Sequence, residues 1–268
     1  MAVITFLSDY GTRDDFVGVC HGVMARIAPE TRVIDITHGL PRHDVRTGAL
    51  VMRRVLPYFP PGVHLAVVDP EVGASRRAVA IRCTDEERFL VGPDNGLLSL
   101  AAQRFGGIAE AVDLERSDLR LQPVAATFHG RDIFSPIAAH LAAGVEMSAV
   151  GDPIDPADVA KLDMPLARME GDTLVAHAVV VDRFGNASLD IEHEELAMTG
   201  LRLGHHVIVE HDDVGYRAVY ATTFADVAEG ELLLYEDAYR TFALAVNRGS
   251  AAALLGLTPD TEVRVRPA

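Results

Sequence analysis

Carboxylates follow two short apolar segments in the first part of the chain. Asp9 comes after residues 3–7, and Asp69 follows the run that begins at Val63. In open α/β sheets ligands bind beyond the carboxyl ends of the strands, so two parallel strands would bring both side chains to one edge. Either Asp alone could simply form a turn. The pair, with a glycine close to each, favours a binding site at this edge.

Arg76 and His129 could join Asp69 in handling a water molecule. Arg76 lies in the loop that begins at Asp69, and by folding back it would keep that carboxylate ionised. His129 precedes a predicted helix, whose positive dipole end disfavours imidazolium. A neutral imidazole beside a carboxylate is a suitable hydrogen-bonding partner for a water nucleophile. The alternatives are a solvated loop for Arg76 and a structural role for His129.

The second half carries aromatic and amide side chains suited to a purine. Phe184 and Asn186 follow the apolar residues 176–181. They offer a ring face and a paired hydrogen-bond donor and acceptor, although a plain β-turn is the alternative interpretation. Phe224 could supply a second aromatic wall or belong to the core.

Other common catalytic motifs are absent from the sequence. The histidines show no His-x-x-x-His spacing, and neither glycine-rich phosphate loop nor a Gly-x-Ser-x-Gly elbow occurs. We therefore expect no metal and no cofactor in catalysis, although dispersed ligands stay possible.

The elements that must position these residues alternate between strand and helix in the first half. This alternation predicts an α/β fold with a mostly parallel sheet covered on both faces. The predicted strands are residues 3–7, 33–36, 63–68, 79–81 and 89–91. The predicted helices are residues 16–27 with Asp14 and Asp15 at its start, a segment from the N-cap Asp44 to Leu56, residues 94–105 and residues 131–142.

The second half has short strand-like segments separated by turns, which predicts a smaller β-barrel or sandwich. Its predicted strands are residues 173–182, 206–209, 217–220, 231–235, 242–246 and 262–265. A stretch rich in Pro and Asp separates the two halves. We therefore expect an N-terminal domain over residues 1–152, a linker over 153–170 and a C-terminal β-barrel domain over 171–268.

Composition narrows the class of protein. The chain has 268 residues, 49% of them hydrophobic, and a net charge of −15, which argues against a nucleic-acid partner. Cys20 and Cys83 lie far apart in apolar stretches and are expected to be buried in a reducing compartment. Neither a signal peptide nor a membrane span is predicted, so we expect a soluble cytoplasmic protein.

Six motifs occur in a fixed order along nearly the whole chain. They are SDYGTRDDFVG at residues 8–18, DITH at 35–38 with Pro41, residues 68–77, GPDNG at 92–96, TFHGRD at 127–132 and FGN at 184–186. This order resembles one family, the S-adenosyl-L-methionine (SAM) hydroxide adenosyltransferases, which are related to fluorinase and chlorinase.

The resemblance implies a homotrimer with an N-terminal α/β domain and a C-terminal barrel, the ligand lying between one subunit's N-terminal domain and a neighbour's C-terminal domain. Asp69, Arg76 and His129 match the family's water-handling positions. The positions expected to contact substrate are Asp9 at the ribose, Asp14 at the methionine amino group, Phe128, Asp182 near the methionine moiety, and Phe184, Asn186 and Phe224 around adenine.

The implied activity is hydrolysis of SAM to adenosine and L-methionine, without a metal or other cofactor. One alternative is a halide-dependent adenosyltransferase; against it, Asp69 would face the anion, and Gly130 stands where the fluorinating relatives have Ser. A second alternative is a non-catalytic sensor of adenosine or SAM, which would have no use for Asp69, Arg76 and His129 together. A third is a metal-dependent phosphoesterase that uses Asp9, Asp69 and His129.

Overall fold

The structure, a computed structural model, describes residues 3–196 and 199–268. The chain divides into two compact units, Met1–Leu162 and Asp163–Ala268. Each unit has hydrophobic core clusters of its own.

The first unit is built on a mixed sheet with the strand order β2-β1-β3-β5-β4-β6-β7. Its strands are β1 (Val3–Ser8), β2 (Arg32–Thr37), β3 (Val63–Val67), β4 (Ala78–Cys83), β5 (Phe89–Pro93), β6 (Ile108–Asp113) and β7 (Asp152–Ile154). Strands β2, β1, β3 and β5 are parallel, whereas β4, β6 and β7 are each antiparallel to their neighbours.

Helices cover both faces of this sheet. The helices of the first unit are α1 (Phe16–Ile27), α2 (Val45–Val55), α3 (Ser99–Arg104), α4 (Ser135–Ala142) and α5 (Met147–Val150), with short 3-10 helices at Leu56–Tyr58 and Pro156–Asp158. Phe6 of β1 belongs to the core cluster that includes Met24 of α1, whereas the next residue, Leu7, belongs to the cluster that includes Met52 of α2. Successive strand residues therefore point to opposite buried faces, which explains the near-continuous apolar strands.

The starts of α1 and α2 agree with the sequence, whereas the start of α3 differs. The Asp44 carboxylate accepts a hydrogen bond from the Thr47 N–H at 2.9 Å and caps α2 as predicted. Helix α1 begins at Phe16 as predicted, with Asp15 at its N-cap position, although the Asp15 side chain makes no capping hydrogen bond. The helix predicted from residue 94 begins at Ser99, because Asn95 instead binds the Leu97 N–H and the Val68 carbonyl in a turn.

The second unit forms a closed barrel in which β9 pairs with both β15 and β10. Its strands are β8 (Arg168–Glu170), β9 (Thr173–Val181), β10 (Ala187–Glu192), β11 (His206–His211), β12 (Val214–Tyr220), β13 (Leu232–Glu236), β14 (Thr241–Val246) and β15 (Glu262–Pro267). Its helices are α6 (His193–Leu196), α7 (Ala251–Leu255) and a 3-10 turn at Phe224–Asp226. The predicted α/β class with a C-terminal barrel is confirmed.

Both cysteines are buried and unpaired, as expected from their apolar surroundings. Burial raises the pKa of Cys20 to about 11 and that of Cys83 to about 12, so neither thiol ionises near neutral pH. Within the described ranges, the helices are all too short or too polar to cross a bilayer.

Candidate active site

The two carboxylates singled out in the sequence follow adjacent parallel strands. Ser8 at the end of β1 is in register with Val67 at the end of β3, so Asp9 and Asp69 leave the sheet at the same edge. Tyr10 follows Asp9 directly, and its phenol interacts electrostatically with both carboxylates. Burial, more than the nearby charges of Asp69 and Asp9, raises the pKa of Tyr10 well above its usual value.

Asp69, Arg76 and His129 form one hydrogen-bonded group, called here the water-handling set. The Arg76 Nε donates to Asp69 Oδ1 at 2.9 Å, and Nη2 of the same guanidinium donates to Asp69 Oδ2. Nη2 also lies 2.8 Å from His129 Nδ1. The side chains of Arg76 and Asp69 are only 4% and 6% exposed, so this bidentate pair is largely shielded from water.

The protonation state of His129 follows from these contacts. Desolvation and the neighbouring Arg76 charge lower the pKa of His129, which keeps the imidazole neutral. A guanidinium can only donate, so His129 Nδ1 must accept, and the ring proton resides on Nε2. The free nitrogen of His129 is therefore a hydrogen-bond donor.

A π-helical turn follows His129, and a buried carboxylate within that turn anchors it to neighbouring segments. His129 immediately precedes a π-helical turn at Gly130–Phe134, which leads into α4; such turns are frequent at functional sites. Asp132, 2% exposed, accepts hydrogen bonds from Arg131 Nε at 2.6 Å and from the Ala125 N–H at 2.8 Å. Burial alone would raise the pKa of Asp132, but these hydrogen bonds outweigh it and lower the pKa.

The loop that carries Arg76 packs closely against the segment before His129. Gly73 has φ +81°, and a Cβ there would lie 2.6 Å from the Ala126 carbonyl oxygen. Only glycine fits this position without displacing backbone. Glu71 of the same loop is exposed to solvent.

Tyr10 belongs to the motif at residues 8–18, but the sequence predicted no role for it in the site. Its ring lies 6.0 Å from Phe128 and 5.7 Å from Phe16, and these two rings meet edge to face at 5.0 Å. A Cβ on Gly130 would lie 2.1 Å from the Tyr10 hydroxyl oxygen. Phe128, predicted to contact substrate, is thus held by an aromatic cluster beside the water-handling set.

Asp9 is held by a hydrogen bond from the backbone, whereas Asp14 is exposed to solvent. One oxygen of Asp9 accepts a hydrogen bond from the His43 N–H at 2.8 Å, which ties the end of β1 to the loop before α2. Asp14 is exposed in the turn before α1.

In the second unit, Asp182, Phe184 and Asn186 share one turn between β9 and β10. Asp182 Oδ1 accepts hydrogen bonds from the N–H groups of Phe184 and Asn186 at 2.8 and 2.9 Å, and Oδ2 accepts one from the Asn186 side-chain amide at 2.9 Å. The carboxylate therefore orders the turn, while the Phe184 ring is 62% exposed.

Phe224 lies on the same unit with its ring 5.1 Å from Tyr235. Burial is the main cause that raises the pKa of Tyr235 to about 12, and the Asp237 and Asp182 carboxylates add to it. Tyr235 thus lies near both Phe224 and Asp182. No role was predicted for it from the sequence. The only early signal was its position at the end of an apolar strand.

One group in the described part of the chain has the donor atoms for a metal ion: His21, Asp35 and His38. It includes none of the residues predicted to act on substrate.

Two family models match the two units. The model described as SAM hydroxide adenosyltransferase N-terminal domain matches residues 4–151, and the C-terminal domain model matches residues 176–264.

Among characterised relatives, the (R)-S-adenosyl-L-methionine hydrolase of Salinispora tropica is 48% identical over 98% of this chain and 97% of its own length. The hydrolase of the same name from Thermus thermophilus is 40% identical, covering 99% and 100%. A fluorinase from Actinopolyspora mzabensis is more distant, at 28% identity over 98% and 96%.

Solved structures share the fold. A crystal structure of an uncharacterized conserved protein from Thermotoga maritima aligns with a TM-score of 0.92 and 35% identity, covering 98% of this chain and 99% of that one. A conserved hypothetical protein from Thermus thermophilus aligns with a TM-score of 0.78 and 37% identity, covering 99% and 100%.

Proposed function

Because this chain belongs to the SAM hydroxide adenosyltransferase family, we propose that it hydrolyses S-adenosyl-L-methionine to adenosine and L-methionine. The observation that carries the proposal is the hydrogen-bonded group of Asp69, Arg76 and His129, which brings together the loop between β3 and β4 and the segment before the π-helical turn. Relatives at 40–48% identity over the full length bear the name of this hydrolase, which supports it over a halide-dependent transfer.

The reaction needs a positioned water more than it needs a strong acid or a metal. Water oxygen attacks C5′ in line with the C5′–S bond; the new O–C5′ bond forms while the C5′–S pair of electrons returns to sulfur. The sulfonium becomes the neutral thioether of methionine, so the leaving atom requires no protonation. One proton leaves the attacking water, and the products are adenosine and methionine. Positioning and partial desolvation of the water supply the catalysis.

Each member of the water-handling set has a distinct part in this mechanism. The Nε2–H of His129 donates to the water oxygen, and Asp69 accepts a hydrogen bond from one water proton. Arg76 binds both partners and fixes the distance between them. Because His129 presents a donor, Asp69 is the member that draws a proton away from the water.

The substrate-binding residues fall into two groups in this proposal. Asp9 binds the ribose hydroxyls, Asp14 the methionine ammonium, and Phe128 lines the same side. Asp182, Phe184, Asn186 and Phe224 form the wall for adenine and methionine. We assign this wall to a neighbouring subunit of a homotrimer, consistent with the exposed rings of Phe184 and Phe224. The two buried free thiols support a reducing, cytoplasmic location.

Incubation of the purified protein with SAM tests the activity, with adenosine and methionine measured by mass spectrometry. We expect both products, with or without EDTA, and no 5′-halo-5′-deoxyadenosine when chloride or fluoride is added. Asp69→Ala and His129→Ala should each lower turnover by about 10²–10⁴-fold while ligand binding, measured by calorimetry, changes little. Asp212→Ala, at a carboxylate that is 88% exposed, is the matched control. Unchanged adenosine release in both variants would contradict the assigned roles.

A further inference from the structure

We propose that His21, Asp35 and His38 bind a divalent transition-metal ion such as Zn²⁺, at a site separate from the water-handling set. His21 lies on α1, Asp35 lies on β2, and His38 immediately follows that strand. Asp35 Oδ1 is 2.8 Å from His21 Nε2 and 3.1 Å from His38 Nε2. One donor atom from each side chain lies within 4.8 Å of the other two.

The spacing and the donor types suit such an ion. In a tetrahedral zinc site with bonds of about 2.0 Å, neighbouring ligand atoms are roughly 3.3 Å apart, so the two distances at Asp35 need only small adjustments. Two imidazoles and one carboxylate are donors that Zn²⁺ and other first-row divalent ions prefer. Calcium and magnesium prefer sites built from oxygen alone, so we do not assign either of them.

His38 gives independent support for a ligand. The residue is 5% exposed, and its Nε2 atom is buried without a hydrogen-bond partner, because the approach of Asp35 lacks hydrogen-bond geometry. Buried polar atoms nearly always have a partner, so an orphaned nitrogen needs an explanation. A metal ion between His38, Asp35 and His21 would accept the lone pair of this nitrogen.

The surroundings of His38 hold its ring as a metal ligand would require. The Ser8 hydroxyl lies 2.7 Å from His38 Nδ1, and metal-bound imidazoles commonly hydrogen-bond through their second nitrogen in this way. The Phe6 ring packs edge to face on His38 with centroids 4.7 Å apart. The backbone carbonyl of His38 accepts a hydrogen bond from the Gly11 N–H at 2.7 Å. The ion would therefore link α1 to the end of β2, and the hydrogen bond from Gly11 joins this end to the loop after β1, which carries Asp9.

Titration of untagged, chelator-treated protein with Zn²⁺ alone tests the site, followed by calorimetry. We expect one equivalent per chain and a rise in melting temperature on adding Zn²⁺. Co²⁺ as a spectroscopic probe should give the visible absorption of a low-coordinate site. His21→Ala and Asp35→Asn should each weaken Zn²⁺ binding by at least about tenfold. Both should fold, since alanine is a good helix former and asparagine matches the shape of aspartate.

The matched control is His193→Ala, which removes a surface imidazole that pairs with the single carboxylate of Glu236 at 2.7 Å. This variant should bind Zn²⁺ as the unchanged protein does. Absence of Zn²⁺ binding, or equal binding by His21→Ala and Asp35→Asn, would overturn the proposal and leave only a hydrogen-bonded cluster. Because no readout uses SAM, these results are independent of the hydrolase activity.

Discussion

The contact between Arg76 and His129 decides what the imidazole can do. A histidine in a catalytic group often acts as a general base. In this site, however, Nδ1 of His129 already accepts a hydrogen bond from the permanently charged Arg76 guanidinium at 2.8 Å. Only Nε2–H is left to face a ligand. The sequence predicted a neutral His129 beside Asp69. The tautomer of His129, however, depends on an arginine 53 positions away in the chain.

Activity should fall at low pH as His129 gains a proton. Its lowered pKa means that the ring stays neutral at pH 6.5 and charges only in more acidic solution, where the imidazolium would face the Arg76 guanidinium. We therefore expect the acidic limb of kcat against pH to have its midpoint below 6.5. Residual activity of His129→Gln should be flat across that range, because glutamine can accept and donate without titrating.

His140→Gln is the control for this pH profile. Desolvation also lowers the pKa of His140, which lies on α4 and is not a member of the water-handling set. That variant should keep the acidic limb. If the limb persists in His129→Gln, another group causes it.

At the level of elements, the π-helical turn that follows His129 brings Gly130 against Tyr10. The sequence predicted one continuous helix over residues 131–142, whereas the structure has a wider turn at Gly130–Phe134 before α4. Helical spacing of apolar residues does not distinguish these two forms over five residues. What separates them is contact with other segments, such as the hydrogen bonds that the Ala125 N–H donates to the Asp132 carboxylate and the Leu121 N–H donates to the Asp132 backbone carbonyl.

Gly130→Ala should destabilise this turn, because its new methyl group would overlap the Tyr10 hydroxyl. We expect a loss of about 1–3 kcal/mol in the free energy of unfolding, measured with urea, together with reduced turnover. Adding Tyr10→Phe removes the overlapping oxygen, so the double variant should lose less than the sum of the single variants.

Gly22→Ala is the matched control for this experiment. Gly22 lies on α1, and nothing lies within 4 Å of the added methyl group, so the change should stabilise by about 0.5–1 kcal/mol. Additive losses in Gly130→Ala and Tyr10→Phe would show that the two positions do not conflict.

The sequence did not predict two six-residue strands, β6 and β10, and both are needed to complete the sheets. In β10, Ala187, Leu189 and Ile191 are buried and alternate with polar residues, a pattern typical of a strand. Its pairing with β9 closes the barrel. In the first unit, β6 lies between β4 and β7 and extends the antiparallel side.

For the whole molecule, mixed assemblies test whether two subunits share each site. Asp69→Ala and Asn186→Ala lie in different units of the chain, and each should be inactive alone. In a trimer whose sites combine one subunit's first unit with a neighbour's second unit, equal random mixing restores about one quarter of the sites. Co-expression with differently tagged chains, followed by adenosine assay, measures this. No recovered activity in verified mixed trimers would place each site within one chain.

The stability of the protein should fall in acid because of a buried histidine that is not part of the site. His64 is fully buried between Thr5 and Arg88, and desolvation together with the Arg88 charge lowers its pKa to about 3. Between about pH 6.5 and that value the unfolded chain binds a proton that the folded chain does not. His64 should therefore lower the free energy of unfolding by about 1.4 kcal/mol for each pH unit that the pH falls in this range.

His64→Gln should remove this part of the acid sensitivity, since glutamine can still accept from Arg88 and donate to Thr5. Urea unfolding at several pH values between 4 and 7 measures the slope. His205→Gln, an exposed histidine, should leave the slope unchanged. Equal slopes in His64→Gln and the unchanged protein would show that His64 titrates normally in the fold.

The sequence alone determined the two-part α/β and barrel architecture, the strand ends that carry Asp9 and Asp69, and the motifs of the family. These follow from local patterns, since burial on one or both faces of an element fixes its apolar period. Tertiary structure alone decided the strand order, the closure of the barrel, the tautomer of His129 and the meeting of His21, Asp35 and His38. Each of these depends on contacts between residues distant in the chain, which no local pattern records.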